Sequence, residues 1–344
     1  MELQEEVRLN RLSCGRQDMI AVEQGSHNET YPMVSVIIPV KNEAKRIVAC
    51  LESILTINYP QERYEIILVD NGSTDETGQI GKSYGAKVLA HPELTISGLR
   101  NVGASAALGS LLAFIDADVI ISKDWLTAAI DCLNRSPDTG CVGCYPSPPE
   151  QNGWVTRSWW FLQIPKSIKS EGEVNWLPSM NMVVRKEAYE LVGGFNPSLI
   201  TCEDVDFCYR LGARYKIIYC NSMQAIHYGE PKSLRELFKK ERWRGTSNYD
   251  GIKVHGFRMD ELPSLLLPIY YVILAFFFIF TAITCRWWLM TLNIMCWFLP
   301  PIIKGYLAAA RNSKSSLFHK MVLCYLVYCL ARSAALIDWV VRKK

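Results

Sequence analysis

The sequence predicts an α/β domain, its sheet mostly parallel with helices on both faces, followed by an α-helical membrane segment. Three observations carry this. Short, β-branched, mostly apolar runs recur at Val34–Ile38, Tyr64–Val69 and Leu111–Ile115, the pattern of strands buried on both faces. Stretches with helical spacing separate them, as where Ile47, Leu51, Ile54 and Leu55 share one face. Leu262 to Cys285 carries no charged residue, and a helix of that length, at ~1.5 Å per residue, spans a hydrocarbon core of ~30 Å.

Composition narrows the choices. Of 344 residues, 49% are hydrophobic and 21% charged, which excludes a disordered chain. Lys and Arg number 37 against 34 Asp and Glu, too small an excess for wholesale nucleic-acid binding. The first 30 residues contain Glu2, Glu5, Glu6, Arg8, Arg11, Arg16 and Asp18 and no apolar core. This predicts no secretory signal, a cytosolic globular part and reduced thiols among the 12 cysteines. Cys141-Val142-Gly143-Cys144 lacks a second pair or spaced histidines, so it is expected to be structural filler rather than a zinc site.

The chain divides accordingly. A polar tail occupies 1–31 and the globular unit 32–230. After the first two strands, a third is expected near Ala86–Ala90 and a later pair at Asn181–Val184 and Tyr215–Tyr219. The Ala-, Gly- and Ser-rich stretch Ser97–Gly109 predicts a helix packed close to its neighbours, and Glu203–Leu211 a helix opened by acids. Residues 146–175, rich in Pro and Trp, are expected to be an irregular lid or a patch resting on a membrane. Residues 231–261 begin with a basic amphipathic segment, Lys232 to Arg244, which is either a solvated surface helix or an interfacial one. Residues 262–344 form the anchor: one span at 262–285, a second within 287–310 kinked by Pro300-Pro301, and a third run interrupted by Arg332 and Asp338. Basic residues at Arg311, Lys314 and Lys320 favour two spans with an interfacial or tilted third helix.

Candidate chemistry lies at the strand ends, where such sheets bind ligands. Asp116 and Asp118, two apart in an extended chain, point the same way with no basic residue beside them in sequence. They are either turn aspartates or ligands of a hard divalent cation that relieves their repulsion, which with a diphosphate suits Mg²⁺. Glu203-Asp204-Val205-Asp206 is either a dipole-stabilised helix start or the seat of a general base. Asp70 closes a strand and leads into a turn, Arg100 offers a cation for phosphates, and His227 an imidazole for a metal.

In order along the chain these pieces resemble glycosyltransferase family 2, of GT-A fold (Rossmann-like). Val34 to Glu43 resembles its opening strand, Leu68 to Asp75 its second signature, and Arg100 to Gly103 followed by Phe114 to Asp118 its third. Met180 to Arg185 and Gly193-Gly194-Phe195 are similar to its donor-sugar and acceptor region, and Glu203 to Phe207 to its base motif. The resemblance covers about 33–245. It implies that Pro39, Val40, Glu43, Asp70, Arg100 and Asp116 bind the donor, a UDP- or GDP-sugar. It implies Asp116, Asp118 and His227 around Mg²⁺ or Mn²⁺, with Asp118 the direct ligand. It implies Asp204 as catalytic base, with Asn181 and Glu203 in the donor-sugar or acceptor region. Arg242-Trp243 is similar to the end of a Q-x-x-R-W motif, but Lys239 stands at the glutamine position and the spans are few, which argues against a processive polymer synthase.

The expectation is therefore an inverting, metal-dependent glycosyltransferase on the cytosolic side of the inner membrane, with a lipid-linked acceptor and membrane lipids as partners and no nucleic acid. The alternatives are a nucleotidyltransferase, disfavoured because Pro39–Glu43 contains no glycine, and a non-catalytic sugar-nucleotide-binding membrane protein.

Overall fold

The computed structural model describes residues 31–164 and 171–342. Of the expected tail at 1–31, only Tyr31 falls within them. The centre is an eight-stranded sheet of order β3-β2-β1-β4-β8-β6-β9-β7. β1 (Val34–Val40), β2 (Tyr64–Asp70), β3 (Lys87–Ala90) and β4 (Leu111–Ile115) run parallel to one another. All residues of β1 and β4 are buried, as expected for strands covered on both faces. The chain winds outward from β1 to β3 and then crosses to β4 on the other side of β1. The carboxyl ends of β1 and β4 therefore flank the point where strand order reverses, which is where open α/β sheets form a crevice.

Beyond β4 the sheet is mixed, a departure from simple alternation. β8 (Asn181–Arg185) inserts antiparallel between β4 and β6 (Thr139–Gly143). β9 (Lys216–Tyr219) is parallel to β6, and the short β7 (Gly172–Glu173) is antiparallel to β9. β8 follows a long excursion of the chain and enters the sheet from the opposite end. A separate antiparallel pair joins β5 (Val119–Ile121) to β10 (Ala225–His227). Four helices accompany the first half: α1 (Ala44–Leu55), α2 (Thr77–Ser83), α3 (Ile96–Ser105) and α4 (Trp125–Asn134). The small residues of α3 act as expected. A Cβ on Gly103 would overlap the Ile37 side chain of β1, so only glycine allows this approach.

Residues 146–175 are not a wholly irregular lid. They contain α5 (Trp154–Gln163), whose Val155, Trp159 and Leu162 are buried. Aromatic and β-branched residues are indifferent helix formers, so packing rather than propensity makes this helix. After α6 (Lys186–Leu191) and α7 (Glu203–Leu211) comes the basic segment, α8 (Leu234–Arg244), and then α9 (Asn248–His255).

Three C-terminal helices, α10 (Leu262–Ile283), α11 (Trp287–Arg311) and α12 (Phe318–Arg342), are long and apolar enough to cross a membrane. α10 and α11 form a hairpin. Tyr270 and Tyr271 hydroxyls donate to the carbonyls of Cys296 and Trp297 at 2.8 and 2.7 Å, and Asn293 Nδ2 donates to Leu274 O at 3.2 Å. α11 continues as helix through Pro300 and Pro301. Large apolar side chains are exposed over the distal half of the hairpin, among them Phe276, Ile279, Ile283, Trp287, Trp288 and Met295.

α12 occupies a different position. Met321 and Cys324 share a buried cluster with Val155, Trp159 and Leu162 of α5, Leu237 of α8, and Ala308 and Ala309 of α11. Further along, the Trp159 and Tyr328 rings lie 5.5 Å apart, Arg332 pairs with Glu241 of α8, and Asp338 with Arg242 of α8. Trp339 Nε1 donates to Asp250 of α9 at 3.0 Å. On its other side Ser333 Oγ donates to Pro268 O near the base of the hairpin. α12 is thus sandwiched between the globular unit and the hairpin's base.

Candidate active site

The loops after β1 and β2 are stitched together. Asn42, at φ 56°, accepts from the Thr74 amide at 2.8 Å and donates its own amide to Ser73 Oγ at 2.9 Å. Asp70 Oδ1 accepts from the amide and hydroxyl of Ser73 at 2.8 and 2.6 Å. Asp70 is thereby fixed at the crevice rim. Pro39 and Val40 are buried, in register with Val69 and Asp70. Glu43 stands at the start of α1, paired with Arg46 at 3.2 Å. Burial raises its pKa, partly offset by Arg46 and reinforced by Asp118 and Asp116 nearby.

Asp116 and Asp118 follow β4, and both carboxylates have basic partners, contrary to the sequence expectation. Arg100 of α3 donates to Asp116 Oδ1 and Glu203 Oε1, each at 2.9 Å. It is 2% exposed and its guanidinium lies over the Phe195 ring. Arg100 is therefore a strut between two carboxylates rather than an open phosphate contact. The neighbouring Asn101 ties down the Gly193-Gly194-Phe195 loop through the Phe195 backbone.

His227 reaches Asp118 because β10 pairs with β5, setting His227 opposite Val119. The Tyr228 amide donates to Asp118 O at 2.9 Å. His227 Nε2 lies 3.4 Å from Asp118 Oδ1, while Nδ1 lies 3.0 Å from Glu230 Oε1. Burial disfavours imidazolium, but hydrogen bonds to Asp118 and Glu230 outweigh it and lift the His227 pKa to about 9. Glu230 is held down at about 2, the bond from His227 overcoming burial. Arg46 Nη1 sits 3.7 Å from Asp118 Oδ2.

The metal expectation can be tested against this donor set. Asp118 and His227, whose other nitrogen is fixed by Glu230, offer a carboxylate and an imidazole of the kind that Mg²⁺ or Mn²⁺ takes, with an outer partner, whereas the Asp116 carboxylate is engaged by Arg100 and does not join them in one compact three-donor group. Gly229 leaves a cradle, because a Cβ there would overlap Asp118 Oδ2 and His227 Nε2. Asp118 and His227 fit as two donors to a divalent cation.

Asp204 begins α7 beside Glu203, and the preceding Cys202 is left-handed at φ 65°. Burial first, then the Glu203 charge, raise the Asp204 pKa to about 7, against the opposing pull of Arg100. Asp206, two residues on, is buried and pairs with Arg210. Asp116, Glu203 and Asp204 are thus gathered around Arg100, with Asp118 and His227 on the same rim.

Three predicted positions lie elsewhere. Asn181 is buried, its amide engaged by Trp125 Nε1 at 2.6 Å and Cys144 O at 3.2 Å, so it braces the sheet. That contact also ties Cys144 into the sheet. Arg242 is bound to Asp338 of α12, and Trp243 is 53% exposed. Both line a surface cavity of about 390 Å³ with Thr246, Val341 and Arg342. Conversely, sequence reading missed Arg46, Gly229, Glu230 and Lys240. Lys240 donates to Gly229 O at 2.9 Å, and burial lowers its pKa. The H-x-x-E spacing of His227 and Glu230 was the available signal.

The glycosyl transferase family 2 model matches residues 35–191. Glycosyltransferase AglE of Haloferax volcanii is 31% identical over 223 residues, covering 62% of this chain and 71% of that protein. The chain belongs to glycosyltransferase family 2. The family 2 enzyme is also 26% identical over 230 residues to a beta-monoglucosyldiacylglycerol synthase of Nostoc, spanning 48% of its length. Among solved structures, mannosyltransferase PcManGT of Pyrobaculum calidifontis, in complex with GDP-Man and Mn²⁺, matches with a TM-score of 0.62 at 17% identity. That likeness covers 91% of this chain and 88% of the other, so it shows the fold and extends into the apolar helices.

Proposed function

We propose that this family 2 enzyme is an inverting, divalent-cation-dependent glycosyltransferase that moves a sugar from a UDP- or GDP-sugar to a lipid-linked acceptor at the cytosolic face of the inner membrane. The observation that carries the reading is the convergence of Asp116, Asp118, His227, Glu203 and Asp204 on one rim of the crevice, beside apolar helices. The Mn²⁺ and GDP-Man of PcManGT and the glycolipid product of the Nostoc synthase support it.

The cation, when bound, neutralises the diphosphate leaving group and so stabilises the transition state. Asp116, Asp118 and His227 would hold it. Asp70, with Pro39, Val40 and Glu43, lines the nucleoside end. Arg100 keeps Asp116 and Glu203 in place. Asp204 removes the proton from the acceptor hydroxyl as that oxygen bonds the anomeric carbon. The bond from that carbon to the diphosphate breaks on the opposite face, and the nucleoside diphosphate leaves with the electron pair. A base with a pKa of about 7 is matched to this task near neutral pH.

The membrane arrangement follows from α12. Its contacts with the globular unit run from Cys324 to Trp339, about 22 Å at ~1.5 Å per residue. A perpendicular α12 would drag the ion pairs of Arg332 and Asp338 as deep into hydrocarbon, at a cost of several kcal/mol. The reading is therefore that α10 and α11 cross the bilayer while α12 and the exposed cations of α8 lie at the headgroups.

The test is purified enzyme with a panel of sugar nucleotides, Mn²⁺ or Mg²⁺, and polyisoprenyl or diacylglycerol acceptors. Nucleoside diphosphate release that depends on the cation, the acceptor and Asp204, with inverted product, is expected. Pyrophosphate as product, or retention of configuration, would overturn the reading.

A further inference from the structure

The residue that precedes the base pair is left-handed without being glycine, a conformation that persists only where surroundings enforce it. The enforcement at Cys202 comes from the end of α8 and the start of α9. Thr201 Oγ1 donates to Arg244 O at 3.1 Å, the Thr201 amide to Ser247 Oγ at 3.3 Å, and Cys202 Sγ to Asn248 Oδ1 at 3.6 Å. These supports share one neighbour from the apolar helices. Arg332 of α12 donates through Nη1 to Asn248 Oδ1 at 3.1 Å and through Nη2 to Glu241 Oε2 at 3.0 Å. Glu241 is 1% exposed, and its other oxygen accepts from Arg244 Nη1 at 2.8 Å. Gly245 is pressed so close that a Cβ there would stand 2.6 Å from Ala335 Cβ and 3.2 Å from Arg332 Cδ. One guanidinium therefore fixes both the α8 carboxylate that orients Arg244 and the α9 amide oxygen that receives Cys202.

We propose that Arg332 is a positioning residue for Asp204: by holding Glu241 and Asn248 it keeps the Thr201-Cys202 turn in the shape that places the base, so that docking of α12 on the globular unit sets the rate of transfer. The inference rests on the reading of Asp204 as base. It makes the C-terminal helix part of the catalytic apparatus as well as an anchor.

The experiment uses full-length enzyme in detergent or nanodiscs, with Arg332→Gln, Arg332→Lys, Asn248→Ala and Asp204→Asn compared with wild type. A displaced base costs turnover more than donor binding, so Arg332→Gln should lower kcat by about 10- to 100-fold with donor KM within about threefold. Arg332→Lys keeps the charge and should recover most of that loss. Amide exchange over 201–206 should quicken in Arg332→Gln while 66–70 stays unchanged. Asn248→Ala, which leaves the Arg332–Glu241 pair intact, should show the same pattern more weakly, and serves if Arg332→Gln does not fold. Wild-type kcat and exchange in folded Arg332→Gln, or in Asn248→Ala if Arg332→Gln does not fold, overturns this inference alone when Asp204→Asn is inactive. Wild-type turnover by Asp204→Asn overturns both readings.

Discussion

Asp118 and His227 face each other across 3.4 Å, brought together from distant parts of the chain by the pairing of β5 with β10. Gly229 closes the third side. A side chain there would enter the space between the two donors. Gly229→Ala should therefore leave the sheet intact and raise the cation concentration for half-maximal activity by about 10-fold or more, as changes beside metal ligands commonly do. His227→Gln should act in the same direction. A Mn²⁺ and Mg²⁺ titration of turnover checks this, and superimposable curves for wild type and both variants would remove His227 from the cation site.

The proposed role of Asp204 as base ties activity to pH and sets stability against function. The proposed base must be ionised to accept a proton, so on that reading turnover should climb with pH and level off above a midpoint near 7. Stability has the opposite sign. The carboxyl binds its proton more tightly folded than unfolded, so the stabilisation is full below about pH 4 and is lost as pH rises through about 7. Asp204→Asn should be nearly inactive yet more stable than wild type at pH 8, by on the order of 2 kcal/mol, with the gap closing toward pH 4. Melting curves at the two pH values decide it; equal midpoints at pH 8 would show that Asp204 carries no such strain.

Arg100 joins Asp116 to Glu203 from a nearly fully buried position. Removing one partner from a buried charge network leaves the others uncompensated, typically at ~3–5 kcal/mol. Arg100→Met should lower stability by that order and cut kcat, because Asp116 and Glu203 then repel. Arg100→Lys keeps the charge but not the two-pronged geometry, and should fold better than Arg100→Met while remaining impaired. Denaturant melts with parallel turnover measurements check both. Full activity in either variant would show that the strut is dispensable.

Much of this was legible in the chain itself. β1, β2 and β4 announce themselves because strands buried on both faces carry continuous apolar runs, and Asp70, Asp116 and Asp118 stand where those runs stop. What periodicity cannot convey is which distant element comes to meet a side chain. Nothing in the surroundings of Arg100 says that its cation is consumed by Asp116 and Glu203 instead of facing a phosphate. Asn181 sits in a family-like motif, yet its burial depends on where Trp125 and Cys144 pack. α5 was hidden because its Trp and Val content favours no helix until α12 covers it. Arg242 looked like part of a site, but Asp338, nearly a hundred residues later, claims it.

The hairpin makes a prediction about sidedness. α10, at 22 residues and ~1.5 Å each, matches a hydrocarbon core of ~30 Å. At its far end Cys285 is exposed, followed by Trp287 and Trp288, also exposed, which suits an aromatic belt at the opposite headgroups. If α10 and α11 cross and α12 lies along the near surface, Cys285 and the end of α12 are on opposite sides. With a membrane-impermeant maleimide and an otherwise cysteine-free background, Cys285 should label in vesicles that expose the face opposite the globular unit. A cysteine introduced by Arg342→Cys should label only in vesicles of the reverse orientation. Labelling of both positions from the same side would mean that α12 crosses as well. The ion pairs of Arg332 and Asp338 would then have to be held inside the bilayer, and the interfacial placement of α12 would fall.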